Sequence, residues 1–349
     1  MAENYLVSII VPMFNMERTI EKCLNSITQQ SYKNIEIVVI NDGSTDRSEK
    51  IVNYFRKKDF RIVLISQENK GLAMAYYRGI KEANGEFVLF VDSDDYIDQY
   101  MVEGLVGEQR SSGAEIVQSG VKRIHVKGCI MSCSHVEDKI YRDKKDLYIA
   151  YFLTSNVNQT FAGNLIKKSL FQEIPFEKGS LSTDLQVMPF LLEKCNYFQQ
   201  ISKVYYCAVF FPDSVSRGAI SDRIIDDKFY CTKVWEQFFD DFAPSLREIM
   251  LYRKVNVSMD VIYKIKSTPG TVSDEEVKIK HYRKEFIENY KAIKHCFVKH
   301  YLSKKEIVKM WLFNVSPQLF FNIYSSYSKF LEYRLVANGL DKWRIKNVE

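Results

Sequence analysis

Residues 87–98 read FVLFVDSDDYID. Five apolar residues, Phe87 to Val91, run directly into Asp92, Asp94 and Asp95. A short, continuous apolar run of this kind suits a strand buried on both faces. Carboxylates this close repel and raise each other's pKa unless a cation sits among them. Two readings account for them. One is a solvated turn that caps the next helix; the other is a divalent cation held by hard oxygen ligands. The choice depends on what the rest of the chain brings to the same place.

The stretch closes an alternating series. LVSIIVP (6–12) is apolar and β-branched and reads as a strand. In ERTIEKCLNSITQQ (17–30), Ile20, Cys23, Leu24 and Ile27 fall on one helical face. IEIVVI (35–40) is a second strand, and Asn41 to Asp46 is turn chemistry that also supplies a helix cap. A helix follows to about Lys57, then the strand RIVLIS (61–66), the helix GLAMAYYRGIKEA (71–83) and the strand FVLFV (87–91). The alternation predicts an α/β fold: a Rossmann-like, mostly parallel sheet with helices on both faces. Ligands of such sheets bind beyond the carboxyl ends of the strands. Phe14-Asn15, Asn41-Asp42 and Asp92 to Asp95 each follow a strand, so three polar clusters are expected on one rim.

The second half is less regular. Residues 115–136 pattern as a hairpin turning at Lys127-Gly128. Residues 164–195 pattern as two helices around a Pro and Gly loop, and VYYCAVFF (204–211) as a strand. Beyond residue 220 the pattern is helical, aromatic and rich in lysine. The expected division is therefore an α/β domain over 1–220 and a helical, basic region over 221–349.

Composition sets bounds. With 349 residues, 46% of them hydrophobic, the chain can bury a large core, which excludes disorder. The net charge is +5, and it is unevenly placed. Residues 291–349 carry eleven Lys and Arg against four Asp and Glu, leaving the remainder slightly acidic. The seven cysteines are scattered, and the sequence opens on a strand with no export signal before it. Reduced thiols and a cytoplasmic location are expected. No stretch reaches the roughly 18 apolar residues of a spanning helix.

Two further clusters are weighed and set lower. His125, Cys129, Cys133 and His135 invite zinc, but the spacing is not a common one, and a hairpin would scatter them over both faces. Residues 304–335 interleave Lys with Trp, Phe, Leu and Tyr. A packed helical subdomain is the first reading, and peripheral binding to the anionic inner face of a membrane is the second. No nucleic-acid-binding motif is present, so no nucleic-acid partner is expected.

The segments VSIIVPMFNMERTIEKCLNSITQQSYKNIEIVVINDGSTD (7–46) and GLAMAYYRGIKEANGEFVLFVDSDDYID (71–98), in that order, resemble the family 2 glycosyltransferases. This is a large GT-A fold group that builds bacterial surface polysaccharides. NLIKKSLF (164–171) and PFEKGSLSTDLQVMPFLL (175–192) add a weaker echo. The resemblance implies a nucleotide-sugar donor, foremost a UDP-sugar, a Mg or Mn cation, and transfer with inversion at the anomeric carbon. It implies a glycan or lipid-linked acceptor in capsular, cell-envelope or teichoic-acid-type assembly. A homo-oligomer is a further expected partner arrangement.

Residue by residue, the resemblance implies the following. Asp92 and Asp94 match the DxD signature, with Asp94 the more direct metal ligand, Asp92 also reaching the ribose, and Ser93 between them. Asp42 matches the acid that hydrogen-bonds the uracil ring, and Pro12, Phe14, Asn15 and Glu17 line the base pocket. Asp184 matches the base that takes the acceptor's proton. Its place near a helix start favours the ionised form; a plain N-cap is the alternative. Asp95 is read as supporting the metal or facing the acceptor. Ser214, Ser216 and Arg217 either close over the diphosphate or belong to a surface loop. Two positions depart from the family. Tyr76-Tyr77 stand where Arg-Asn is usual, with Lys70 as a substitute cation, and Thr183 stands where an acid usually precedes the base. A non-catalytic partner subunit and a nucleotidyltransferase remain alternatives.

Overall fold

The computed structural model describes residues 5–126, 128, 130–134, 137–154, 156–211 and 220–326. They divide into two compact units. The first lies within Met1–His125, Ile130–Leu147 and Val157–Phe210, the second within Val126–Cys129, Tyr148–Asn156 and Phe211–Glu349.

The first unit starts as the alternation predicts: β1 (Val7–Met13), α1 (Ile20–Thr28), β2 (Ile35–Asn41), α2 (Ser48–Arg56), β3 (Ile62–Ser66), α3 (Leu72–Glu82) and β4 (Phe87–Phe90). These strands lie in the order β3-β2-β1-β4, all parallel. Every residue of β1 and β4 is buried, which explains their unbroken apolar runs. Each fully buried Ile or Val contributes roughly 1.5–3 kcal/mol of transfer free energy. α1 buries the expected face of Ile20, Cys23, Leu24 and Ile27.

Beyond β4 come β5 (Tyr96–Ile97), α4 (Met101–Ser112), β6 (Ile116–His125), β7 (Ile130–Cys133) and β8 (Lys139–Tyr141). They are followed by α5 (Lys144–Phe152), β9 (Asn164–Lys167), α6 (Thr183–Lys194) and β10 (Phe198–Phe210). The sheet continues β4-β9-β6-β10-β5. β9 runs antiparallel to β4 and β6, whereas β10 runs parallel to β6. β6 and β7 form the expected hairpin. The first of the two helices expected within 164–195 does not form. Asn164–Lys167 is instead the strand between β4 and β6, followed by one 3-10 turn, Lys168–Phe171. Leu165 and Ile166 are fully buried there, so tertiary pairing overrides a sequence that is locally ambiguous.

The second unit contains α7 (Asp222–Phe242), α8 (Ile249–Ser267), α9 (Glu275–Ile293) and α10 (Lys304–Val315). Phe152 packs against Trp235 at 5.9 Å and Phe239 at 4.9 Å, and the Arg253 guanidinium lies 4.3 Å over the Trp235 ring. Ser303 and Glu306 cap α10 reciprocally. No described helix is long and apolar enough to cross a membrane.

Several sequence readings fall outside the described residues: Ser214, Ser216 and Arg217, Cys129 and His135, and the stretch 327–335. His125 stacks on Phe210 at 5.5 Å, and Cys133 is exposed. Cys23, Cys195, Cys207 and Cys296 are buried thiols.

α3 approaches β1 closely through Gly79. A Cβ there would collide with Ile10 Cγ2. Gly79→Ala is therefore expected to cost about 1–3 kcal/mol by overpacking, read from urea unfolding. Gly107→Ala on α4, where a Cβ meets nothing within 4 Å, is the control and should be neutral or stabilising.

Candidate functional site

The chain leaves β1 on one side to build β2 and β3, then returns to the other side to build β4. The crevice of such a sheet lies at this reversal, outside the carboxyl ends of β1 and β4. Phe14 to Glu17 follow β1, and Asp92 to Asp95 follow β4.

The loop after β1 is stitched to the loop after β2. Asn15 takes the left-handed conformation, φ 54°, which Asn tolerates better than most residues. Its main-chain N–H donates to Ser44 Oγ (3.0 Å), and its side-chain oxygen accepts from the Thr45 N–H (2.8 Å). The Glu17 N–H donates to Asp46 Oδ2 (2.9 Å), and Glu17 Oε2 accepts from the Arg47 N–H (3.1 Å). Pro12 is buried, whereas Phe14 keeps 43% of its surface exposed. Asp42 is buried and turned onto the loop that enters α3. Its Oδ1 accepts from Gln67 Nε2 (2.8 Å) and the Lys70 N–H (2.9 Å), its Oδ2 from the Gly71 N–H (2.8 Å). A carboxylate offers about four lone-pair sites, so three are committed to this loop. Lys70 itself is exposed.

The loop after β4 gathers the carboxylates. Oxygens of Asp92, Asp94 and Asp95 all lie within 4.8 Å of one another. Tyr76 on α3 donates its hydroxyl to Asp92 Oδ1 (2.7 Å). Tyr206 on β10 donates to Asp95 Oδ2 (2.8 Å) and accepts from the Asp92 N–H (3.1 Å). The Val209 N–H donates to Asp95 Oδ1 (2.7 Å). Both Asp95 oxygens are thus tied to β10, which makes it a brace for the loop. Ser93 is buried between its neighbours. Burial, then the neighbouring negative charges, push the Asp92 and Asp95 carboxyls well above the usual range. Hard carboxylate oxygens at this separation fit a divalent cation, which would offset that repulsion. The three acids are close enough together to be compatible with the metal reading.

Asp184 stands in the first turn of α6. Its Oδ2 accepts from the Phe161 N–H (3.2 Å). The Phe161 ring stacks on Phe90 at 4.7 Å and meets Tyr76 edge-on at 5.4 Å. One aromatic floor therefore joins the residue that holds Asp184 to the residue that holds Asp92. Burial, and after it the charge of Asp92, raise the Asp184 carboxyl to about 7. This corrects the expectation that the helix start keeps it readily ionised. A helix dipole gives about 0.3–1 kcal/mol, less than one pKa unit, and burial beside another carboxylate outweighs it. Thr183 is buried, and its hydroxyl finds no hydrogen-bond partner among the described residues. An acid at that position would add a further buried charge beside Asp184.

Residues 8–174 match the model of glycosyl transferase family 2. Glycosyltransferase GlyA of Streptococcus pneumoniae is 38% identical over 192 residues, 51% of this chain and 27% of that protein. Residues 8–174, just under half of the chain, are thus similar to the glycosyl transferase family 2 domain. Glycosyltransferase GlyG of the same organism is 33% identical over 198 residues, 52% of this chain and 64% of that protein. EpsJ of Bacillus subtilis is 45% identical over 115 residues, 33% of each chain. The chain thus spans less than two thirds of the length of each of these relatives. Residues 1–349 of S. aureus TarS, solved in complex with UDP-GlcNAc, align with a TM-score of 0.55. That match covers 84% of this chain and 92% of that one at 20% identity, and it shows a shared GT-A fold.

Within this segment, the departure at Tyr76 acquires a structural meaning. Tyr76 is 2% exposed and presents a neutral donor to Asp92, at the position where the resemblance leads one to expect arginine. Arg78 instead pairs with Glu82 on the helix surface at 2.8 Å. Tyr77 is 38% exposed and rests against Phe176 at 5.7 Å. Sequence reasoning missed Tyr206, and it treated Tyr76 only as a loss. The signal for Tyr76 was its place in GLAMAYYRGI; Tyr206, more than a hundred residues from Asp92, gave none.

Tyr76→Phe keeps the ring and deletes only the hydroxyl. It should cost about 1–3 kcal/mol in urea unfolding at pH 8, and less at pH 5, where Asp92 is protonated. Asp184→Asn should do the reverse. A carboxyl raised from 3.8 to about 7 binds its proton more tightly folded than unfolded, so stability falls as pH rises between those values. Removing that titration should stabilise the chain in EDTA at pH 8 by roughly 1–4 kcal/mol, and by less at pH 5. Calorimetry at the two pH values checks both the sign and the trend.

Proposed function

We propose that the chain is an inverting, metal-dependent glycosyltransferase that moves a sugar from a nucleotide-sugar, foremost a UDP-sugar, to a glycan or lipid-linked acceptor. The setting is capsular, cell-envelope or teichoic-acid-type assembly at the cytoplasmic side of the membrane. The observation that carries this reading is the meeting of Asp92, Asp94 and Asp184 through the Tyr76–Phe161 floor. The UDP-GlcNAc bound by the TarS structure supports a UDP-sugar donor.

In this reading Asp94 and Asp92 hold a Mg or Mn ion, which when bound offsets the diphosphate charge and stabilises the departing nucleoside diphosphate. Phe14, Asn15 and Glu17 form one wall of the nucleotide site with Pro12 beneath. Asp42 fixes the loop that carries Lys70, and with it the edge on which the base rests. Asp95 holds the metal loop to β10, and Ser93 packs it. Asp184 takes the proton from the attacking acceptor hydroxyl. A carboxyl near 7 is a stronger proton acceptor than an ordinary one and still loses its proton at neutral pH. Thr183 lies beside it, with Ser214, Ser216 and Arg217 as candidates to close over the diphosphate.

The test is a thermal-shift panel of UDP-, GDP-, CDP- and dTDP-sugars with and without Mn²⁺. Ligands that bind only the folded state raise the melting temperature by mass action. One nucleotide should give a shift that requires the metal. Asp94→Ala should abolish that shift without unfolding the chain. Asp184→Asn should keep the shift while sugar transfer falls by about two orders of magnitude or more. Equal loss of binding and transfer in Asp184→Asn would remove it as the base. No shift with any donor would favour a non-catalytic partner subunit, and pyrophosphate release from a nucleoside triphosphate would favour a nucleotidyltransferase.

A further inference from the structure

α10 is apolar on two opposite sides. One side is buried: Met310, and Phe313 against Phe286 at 4.7 Å and Phe320 at 5.2 Å. The other side carries Ile307, Val308, Trp311 and Val315. At about 100° per residue these four fall within one arc of the helix. They are 44, 58, 54 and 59% exposed. A helix that is apolar all round normally sits in a core. Here one half of it faces outward.

The charge around this face has one sign. From Lys291 to Ser326 the chain has six lysines and a single acid, Glu306. Glu306 is already engaged, accepting from Ser303 and from the Tyr252 hydroxyl. Lys291, Lys294, Lys299, Lys304 and Lys305 are exposed, and the last two open α10 itself. A second copy docked through the same face would bring these lysines against their own counterparts, since a two-fold interface pairs a patch with itself. A surface that is apolar within and anionic at its boundary suits both features at once.

We propose that this face of α10 binds an anionic lipid bilayer. The helix lies in the plane of the headgroups, with Val308, Trp311 and Val315 entering the acyl boundary and Lys304 and Lys305 against lipid phosphates. Trp311 suits that depth, because indole carries an apolar body and a polar N–H. The contact is peripheral. The proposal stands on this surface alone and holds whatever the site on the sheet transfers.

The test is co-sedimentation of the full chain with phosphatidylcholine vesicles, with and without phosphatidylglycerol. Wild type should sediment with the anionic vesicles, stay in solution with the neutral ones, and release as salt rises. Trp311→Glu, and Lys304→Glu with Lys305→Glu, should each weaken binding about tenfold or more. Both sites are exposed, so melting curves should match wild type. Three results overturn the proposal: no sedimentation with anionic vesicles, variants that bind like wild type, or a concentration-dependent dimer that Trp311→Glu dissolves. The last would make the face an interface between copies.

Discussion

The crowding of Asp92, Asp94 and Asp95 at the end of β4 is the constraint on which the site depends. Oxygens within 4.8 Å of one another repel, and burial strengthens the repulsion. The chain holds Asp92 and Asp95 in place with neutral donors: Tyr76, Tyr206 and the Val209 N–H. Each donor comes from an element that has its own reason to be rigid. Tyr76 is anchored by Phe90 and Phe161, and Tyr206 lies on β10, between β6 and β5. The raised carboxyls are the cost of this arrangement, and it grows with pH.

The sheet makes the arrangement reachable. Its parallel half sets the ends of β1, β2 and β4 side by side, so that three loops share one rim. Its antiparallel half brings Asp184 to the same place. β9 pairs with β4, and the turn just before β9 carries Phe161, whose N–H holds Asp184 and whose ring meets Tyr76. β9 thus ties the turn that holds Asp184 to β4, the strand that leads into the carboxylate loop. The strand that local pattern failed to show is the one that closes the site.

What was legible follows from range. β1, β2 and β4 could be read because burial on both faces leaves a nearly continuous apolar run, and the edge strand β3 because Ile62 to Ile65 are apolar and mostly β-branched. α1 could be read because one-sided burial leaves a 3.6-residue period. β9 could not, because four residues, Asn164 to Lys167, carry neither signal. α4 went unnamed because Gly104 and Gly107 lower its helix propensity, although Met101, Val102, Leu105 and Val106 recur on one face. Asp42, Asp92 and Asp94 were legible as acids that follow strands. Their neighbours were not, because the contacts with Tyr206 and Val209 span more than a hundred residues. The ionisation of Asp184 was misjudged for a related reason. Sequence shows the helix start that favours the charge, and only the fold shows the burial and the second carboxylate that oppose it.

The exchange of arginine for tyrosine at position 76 then has a physical logic. A guanidinium beside Asp92 would neutralise the carboxylate directly, and a divalent ion would gain less by binding there. A phenol fixes the same oxygen through a hydrogen bond and leaves the negative charge in place. It is also less costly to bury, since Tyr76 sits among Phe90 and Phe161, where an arginine would need several acceptors for its five N–H groups. In the proposed reaction the charge that Tyr76 leaves uncompensated is the charge that draws the metal. In that reading the tyrosine leaves the neutralising of Asp92 to an ion rather than to a fixed side chain, and the site would depend on that ion the more.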